Sequence, residues 1–373
     1  MDHHRQSTFK TMKLIDEYRN PELVKGLLKG IQSRAEKIPK PITIMEVCGS
    51  HTHAIGRFGI RDLLPKNIYL VSGPGCPVCV TSAKEVDTAV YLAGMENVLF
   101  TSFGDMLRVP GSGGRSLQTA KAEGADVRIV TSAADCLGLA IDNPLKHVIF
   151  MGIGFETTSP TIAAVIQTCQ KRGVKNFSVF PVMKLMPPAI KILIDDPELN
   201  IDGFLCPGHV STITGTAAYN DIISAGRSAV ITGFEPVDIL EGIYRILGQI
   251  ISGHKEIEIQ YQRAVSPQGN CRARDVLFEV FEPCTAAWRG IGEIPGSGLC
   301  FRDGYRSFDS FKHFDIPIIV PEEIKGCSCG DILRGIKHPG QCPLFKKTCT
   351  PLNPVGPCMV SSEGTCATYY KYH

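Results

Sequence analysis

Three observations predict an α/β fold of two parallel-sheet domains followed by a cysteine-rich C-terminal domain. Short β-branched runs recur about every 25 to 35 residues, a spacing that suits strand–helix–strand units. Most of these runs are apolar throughout, as when helices cover both faces of a parallel sheet. From about residue 265 the chain turns rich in Gly, Pro and Cys and loses regular periodicity.

The expected strands are Ile42–Val47, Ile68–Ser72, Val98–Ser102, Val127–Thr131, Val148–Met151, Ser178–Val182, Phe204–Cys206 and Ala229–Thr232. Helical patterns lie between several of them, at Ala83–Met95, Thr161–Arg172 and Pro188–Leu193, and Val237–Ile251 reads as a long amphipathic helix. Two sheets of about four strands give ordinary domain sizes. The turn-rich Asp142-Asn-Pro144 suggests the break. The division expected is an N-terminal extension and helix over 1–40, a first α/β domain over 41–142 and a second over 143–252. A C-terminal domain over 253–373 follows, with little apolar surface of its own and a fold built around a metal.

Composition narrows the function. In 373 residues, Lys plus Arg total 39 against 37 for Asp plus Glu, so no field favours a nucleic-acid or membrane partner. The first residues, Met1-Asp-His-His-Arg-Gln-Ser, lack a secretory profile, and no apolar run approaches the roughly 18 residues that span a bilayer. A cytoplasmic setting is expected, in which 15 cysteines point to metal binding or redox chemistry rather than to disulfide staples.

In an open parallel sheet, ligands bind beyond the carboxyl ends of the strands. Each chemically suggestive cluster follows a predicted strand: Cys48-Gly-Ser-His51-Thr-His53, Gly73-Pro-Gly-Cys76-Pro-Val-Cys79, Phe103-Gly-Asp105, Gly152-Ile-Gly-Phe-Glu156-Thr-Thr158, Pro207-Gly-His209-Val-Ser211 and Gly233-Phe-Glu235. Parallel strands would bring them to one rim, with Cys48, Cys76 and Cys79 at one site. Gly73 and Gly75 permit a tight turn and Pro77 suits a first helical position. Both sulfurs would then lie where the helix dipole favours thiolate. His209 sits in a shaped loop, and Glu156 is a candidate acid or base. The threonines after Glu156 suit a helix cap, and His51 and His53 read equally well as structural groups. The Gly-x-Gly turns lack the third glycine of a dinucleotide fingerprint, and Gly111-Ser-Gly-Gly-Arg-Ser has no phosphate-loop ending.

The tail carries Cys327, Cys329, Cys342, Cys349, Cys358 and Cys366. Paired zinc knuckles are absent from it, so spacing favours an iron–sulfur cluster, which takes four thiolates and leaves two. If Gly326-Cys-Ser-Cys-Gly330 is extended, its two thiols point to opposite sides, and one cluster takes one of them more easily than both.

The runs Val47-Cys-Gly-Ser-His, Ser72-Gly-Pro-Gly-Cys-Pro-Val-Cys79, Gly154-Phe-Glu-Thr-Thr158, Pro207-Gly-His-Val-Ser-Thr212 and Gly233-Phe-Glu-Pro236 closely resemble the HypD family of hydrogenase maturation factors. So do Gly326-Cys-Ser-Cys-Gly330, Cys342-Pro-Leu-Phe, Pro354-Val-Gly-Pro-Cys-Met and Glu363-Gly-Thr-Cys366. The resemblance implies a scaffold for the Fe(CN)2(CO) unit of nickel–iron hydrogenases, working with a small HypC-type chaperone and a HypE-type cyanide donor. By position it implies iron-handling thiols at Cys48, Cys76 and Cys79. It further implies a 4Fe-4S cluster on Cys327, Cys342, Cys349 and Cys366, and a redox pair at Cys329 and Cys358. A stand-alone dithiol oxidoreductase and a zinc-bearing docking domain are the competing readings.

Overall fold

The computed structural model describes residues 15–322 and 325–373; residues 1–14 of the expected N-terminal extension lie outside the described part. Eleven strands are present among them: β1 Ile42–Glu46, β2 Ile68–Ser72, β3 Val98–Ser102, β4 Val127–Ile129, β5 His147–Gly152, β6 Phe177–Pro181, β7 Gly203–Pro207, β8 Ser228–Thr232, β9 Ile257–Ile259, β10 Phe281–Trp288 and β11 Gly292–Phe301. They form two parallel sheets, ordered β2-β1-β7-β8-β9 and β4-β3-β5-β6, and one antiparallel hairpin, β10-β11. The α/β class and the eight expected strands are present.

The contiguous division of the sheets is corrected. β1 and β2 pair with β7, β8 and β9, so the first sheet is built from both ends of the sequence around an inserted second sheet. The turn at Asp142-Asn-Pro144 ends the crossover helix Ala133–Asp142 between β4 and β5, inside the second sheet. The chain passes to the second sheet through helix Ala83–Ala93, capped by the reciprocal Ser82/Glu85 bonds, and returns through Met186–Asp195.

Two further elements depart from expectation. The edge strand β9 belongs to the first sheet. The region after 265 is more regular than composition suggests, with helix Cys271–Val280 leading into the hairpin.

The core explains why these parts hold together. Met45, Phe204 and Ile231 of the first sheet share one buried cluster with Phe100, Ile149 and Met151 of the second and with tail thiols Cys329 and Cys358. The final helix, Thr365–Tyr372, comes back onto helix Gly49–Arg57, where Tyr372 meets His53 edge-on at 5.6 Å. This return sets the tail beside the end of β1. No helix among the described residues is long and apolar enough to cross a membrane.

Candidate functional site

The end of β1 delivers Cys48 as the residue preceding helix Gly49–Arg57, and the end of β2 delivers the turn Gly73–Gly75 and then Cys76. Because β1 and β2 are paired in register up to Glu46 and Ser72, their following loops leave side by side. They touch backbone to backbone: the Gly49 N–H donates to the Gly75 carbonyl at 3.0 Å. A Cβ on Gly75 would stand 2.2 Å from the Cys48 nitrogen, so only glycine permits this approach.

Pro77 takes the first helical position, as expected, in the short helix Pro77–Val80. The Cys76 sulfur accepts the Cys79 N–H at 3.3 Å, and the two sulfurs lie 2.7 Å apart. The expected activated thiolate is corrected at Cys79: burial pushes its thiol well above the usual range. Four residues make too little dipole to offset complete burial. Burial likewise pushes Cys48 up to about 12, with the charges of Glu363 and Glu46 adding to it.

The two sheets have separate rims, which corrects the single rim expected. Cys48, Cys76, His209 and the Gly233–Glu235 loop follow strands of the first sheet, whereas Asp105 and Glu156 follow strands of the second. The tail joins the rims, since Ser361 Oγ donates to Asp105 at 2.9 Å and Ser50 Oγ donates to Glu363 at 2.6 Å.

His209 stacks on Phe234 at 4.0 Å, and partial burial there lowers its pKa. His51 is a structural pin: its Nε2 bonds Gly233 O at 2.9 Å and Thr232 Oγ1 at 3.0 Å, and it also meets Phe234. His53 fastens the tail through Ser362 O. Glu156 is buried; one oxygen accepts the Met186 N–H at 2.9 Å, the other has no partner, and burial pushes the carboxyl up to about 7. Thr158 precedes helix Ser159–Arg172 but makes no side-chain cap, because its side chain fills the space beside Gly154.

Sequence reasoning passed over Glu46. It lies fully buried under Cys48, where it accepts the Cys48 N–H at 3.4 Å and the Thr52 hydroxyl at 2.6 Å, and burial pushes it up to about 7. The available signal was a carboxylate closing the otherwise apolar strand Ile-Thr-Ile-Met-Glu. Glu363, noted only within a motif, is placed beside Ser50 and Gly49.

All six tail cysteines line one tight pocket, of about 10 Å³, together with Ile332, Phe345, Gly356 and Met359. The chain turns into helix Cys329–Leu333 after Ser328, so Cys327 and Cys329 face the same cavity. The expected extended stretch with opposed thiols is thereby corrected. Cys329 and Cys358 bring their sulfurs to 3.0 Å. Helix Pro77–Val80 packs against the Pro357–Met359 turn, and Cys358 interacts electrostatically with Cys79 and with Cys366. A continuous run of thiols therefore leads from the tail cavity through Cys329 and Cys358 to Cys79 and Cys76.

The donor set of the cavity suits an iron–sulfur cluster. Its titratable lining is thiol alone, the Val355 N–H donates to the Cys349 sulfur at 3.4 Å, and a Cβ on Gly356 would come within 3.0 Å of the Cys327 sulfur. Among the described residues no three His, Cys, Asp or Glu side chains converge as ligands of a single ion.

Two parallel sheets with a thiol run between a rim dithiol and a cysteine-lined tail cavity define a class of redox-capable, soft-ligand proteins. Comparison with known proteins narrows this. The family model described as HypD, hydrogenase formation hypA family, matches residues 22–373. Hydrogenase maturation factor HypD2 of Bradyrhizobium diazoefficiens is 45% identical over 97% of this chain and 97% of its own. A putative hydrogenase expression/formation protein of Methanocaldococcus jannaschii is 48% identical over 94% of this chain and 97% of its own. Hydrogenase maturation factor HypD of Escherichia coli is 45% identical, with 97% of this chain and 98% of its own covered. The chain belongs to the HypD family of hydrogenase maturation factors.

Proposed function

We propose that this protein, working in the cytoplasm with a small HypC-type partner, is the scaffold on which the Fe(CN)2(CO) unit of nickel–iron hydrogenase is assembled and carried. Cyanide arrives from a HypE-type donor. The observation that carries this reading is the thiol run from the tail cavity to the rim dithiol Cys76 and Cys79, whose turn rests on the Cys48 loop. Iron that must take up cyanide and carbon monoxide needs soft ligands and open coordination positions, and a few thiolates on a rim leave such positions free. Cys48, Cys76 and Cys79 would hold the iron cargo, with His209 as a polar group on the same rim and Glu156 on the rim of the other sheet.

Cys327, Cys342, Cys349 and Cys366 would hold a 4Fe-4S cluster, which supplies single electrons when bound. The chain's own thiols then act by exchange. With Cys76 and Cys79 joined as a disulfide, the Cys358 sulfur attacks Cys79, releasing Cys76 as a thiol. Cys329 then attacks Cys358, releasing Cys79. The rim dithiol is reduced, a Cys329–Cys358 disulfide forms, and two electrons have moved one step along the run. The order of contacts, with Cys358 between Cys329 and Cys79, suits this sequence. Complete burial of Cys79 and near-complete burial of Cys76 favour internal exchange over reduction of a free disulfide substrate.

Separate Cys76→Ala and Cys79→Ala variants test the reading in a strain that makes nickel–iron hydrogenase. Each is expected to abolish mature enzyme; mature hydrogenase from either variant overturns the role given to the rim dithiol.

A further inference from the structure

The hairpin β10-β11 carries two cysteines outside the thiol run. Its register sets Cys300 opposite Glu282 and Cys284 opposite Gly298, so the two cysteines stand diagonally on one face. The Cys300 thiol donates to the Glu282 carbonyl at 3.6 Å, and the Cys284 sulfur lies 3.4 Å from where a Gly298 Cβ would be. Each sulfur thus leans toward the other's strand, and the two thiols interact electrostatically. Diagonal partners are ordinarily too far apart for a disulfide. Here the irregularity between Cys284 and Ala286 increases local twist, and the missing side chain at 298 frees space for the Cys284 sulfur. Both cysteines are partly exposed, and Cys284 opens on a cleft of about 450 Å³ that also receives the charge of Lys184.

We infer that Cys284 and Cys300 are a second dithiol, closed into a cross-strand disulfide by a low-molecular-weight disulfide such as glutathione disulfide, independently of the rim and tail thiols. The Cys300 thiolate attacks the oxidant, forming a mixed disulfide and releasing one glutathione thiolate. Cys284 then attacks the Cys300 sulfur and releases the second glutathione, its proton passing to solvent. The oxidant gains two electrons and the hairpin loses them. The same closure results if Cys284 attacks first and Cys300 resolves, since both thiols are partly exposed.

The test treats the reduced, full-length protein with glutathione disulfide, alkylates free thiols and digests with trypsin, which cuts between the two cysteines at Arg289. A cross-linked peptide pair containing Cys284 and Cys300, neither alkylated, is expected. Cys284→Ser and Cys300→Ser should each abolish the cross-link and leave the remaining cysteine as a glutathione adduct. Recovery of both cysteines as alkylated thiols, as separate glutathione adducts, or linked to other cysteines overturns the inference.

Discussion

Substituting alanine for Gly75 places one methyl group where the Cys48 loop rests on the Cys76 turn. The added carbon would lie 2.2 Å from the Cys48 nitrogen and 2.4 Å from both the Cys48 Cα and the Val47 carbonyl carbon. Ordinary carbon contacts begin near about 3.5 Å, so each overlap is roughly 1 Å. All three obstacles are backbone atoms, which have no alternative rotamer. Relief requires the two loops to separate, which also stretches the 3.0 Å bond from the Gly49 N–H to the Gly75 carbonyl. Overpacking of this kind costs about 3 kcal/mol, and the weakened hydrogen bond adds about 1. Urea unfolding followed by far-ultraviolet circular dichroism measures the loss. Gly26→Ala is the control: Gly26 lies inside helix Pro21–Ala35 with no atom within 4 Å of an added Cβ. It should gain about 1 kcal/mol from helix propensity. A Gly75→Ala protein within about 0.5 kcal/mol of the parent, still supporting hydrogenase maturation, refutes the packed contact between the two loops.

Other outcomes follow from single residues. Glu156 rises from 4.5 to about 7 on burial, so between these values the unfolded chain is ionised while the folded one stays protonated. Stability therefore falls as pH rises through that window, by about 3 kcal/mol for this group, and Glu156→Gln should remove that share of the slope in urea titrations at about pH 4.5 and 7.5. Arg263 pairs with Asp238, which is fully buried, and Gln260 supplies a second bond to it. Arg263→Met should cost about 3 kcal/mol in the same assay, because a buried carboxylate loses its cation. Cys329→Ser should leave the protein folded but unable to return electrons to Cys79. Thiol mapping after oxidation and re-reduction should then show Cys79 still held in a disulfide, with Cys76 or, as the stalled intermediate, with Cys358.

Much of the site was legible because strand ends carry the chemistry. The apolar β-branched runs marked eight strands, and the residues after them marked Cys48, Cys76, Cys79 and His209. Pairing between strands was not legible. β1 and β7 are neighbours although the whole second sheet is made between them, and nothing local in either run records its partner. β9 escaped notice because Glu256-Ile-Glu-Ile259 is short and alternates, as an edge strand does. The thiolate expectation failed at Cys79 because sequence shows the proline and the spacing but not the depth of burial. Glu46 was hidden for the same reason: a carboxylate at a strand end looks solvent-facing until its cover is known. The tail thiols were visible as a set. Their common cavity depends on the turn at Ser328, which composition alone does not fix.

In the proposed scaffold the rim thiols carry an iron centre bearing cyanide and carbon monoxide. Infrared spectroscopy of the protein purified anaerobically with its small HypC-type partner tests it directly. Cyanide and carbonyl stretches should be present on bound iron, shift with isotopic label, and vanish in Cys48→Ala. A spectrum without those bands from a complex containing iron beyond the tail cluster, or bands unchanged in Cys48→Ala, would contradict it.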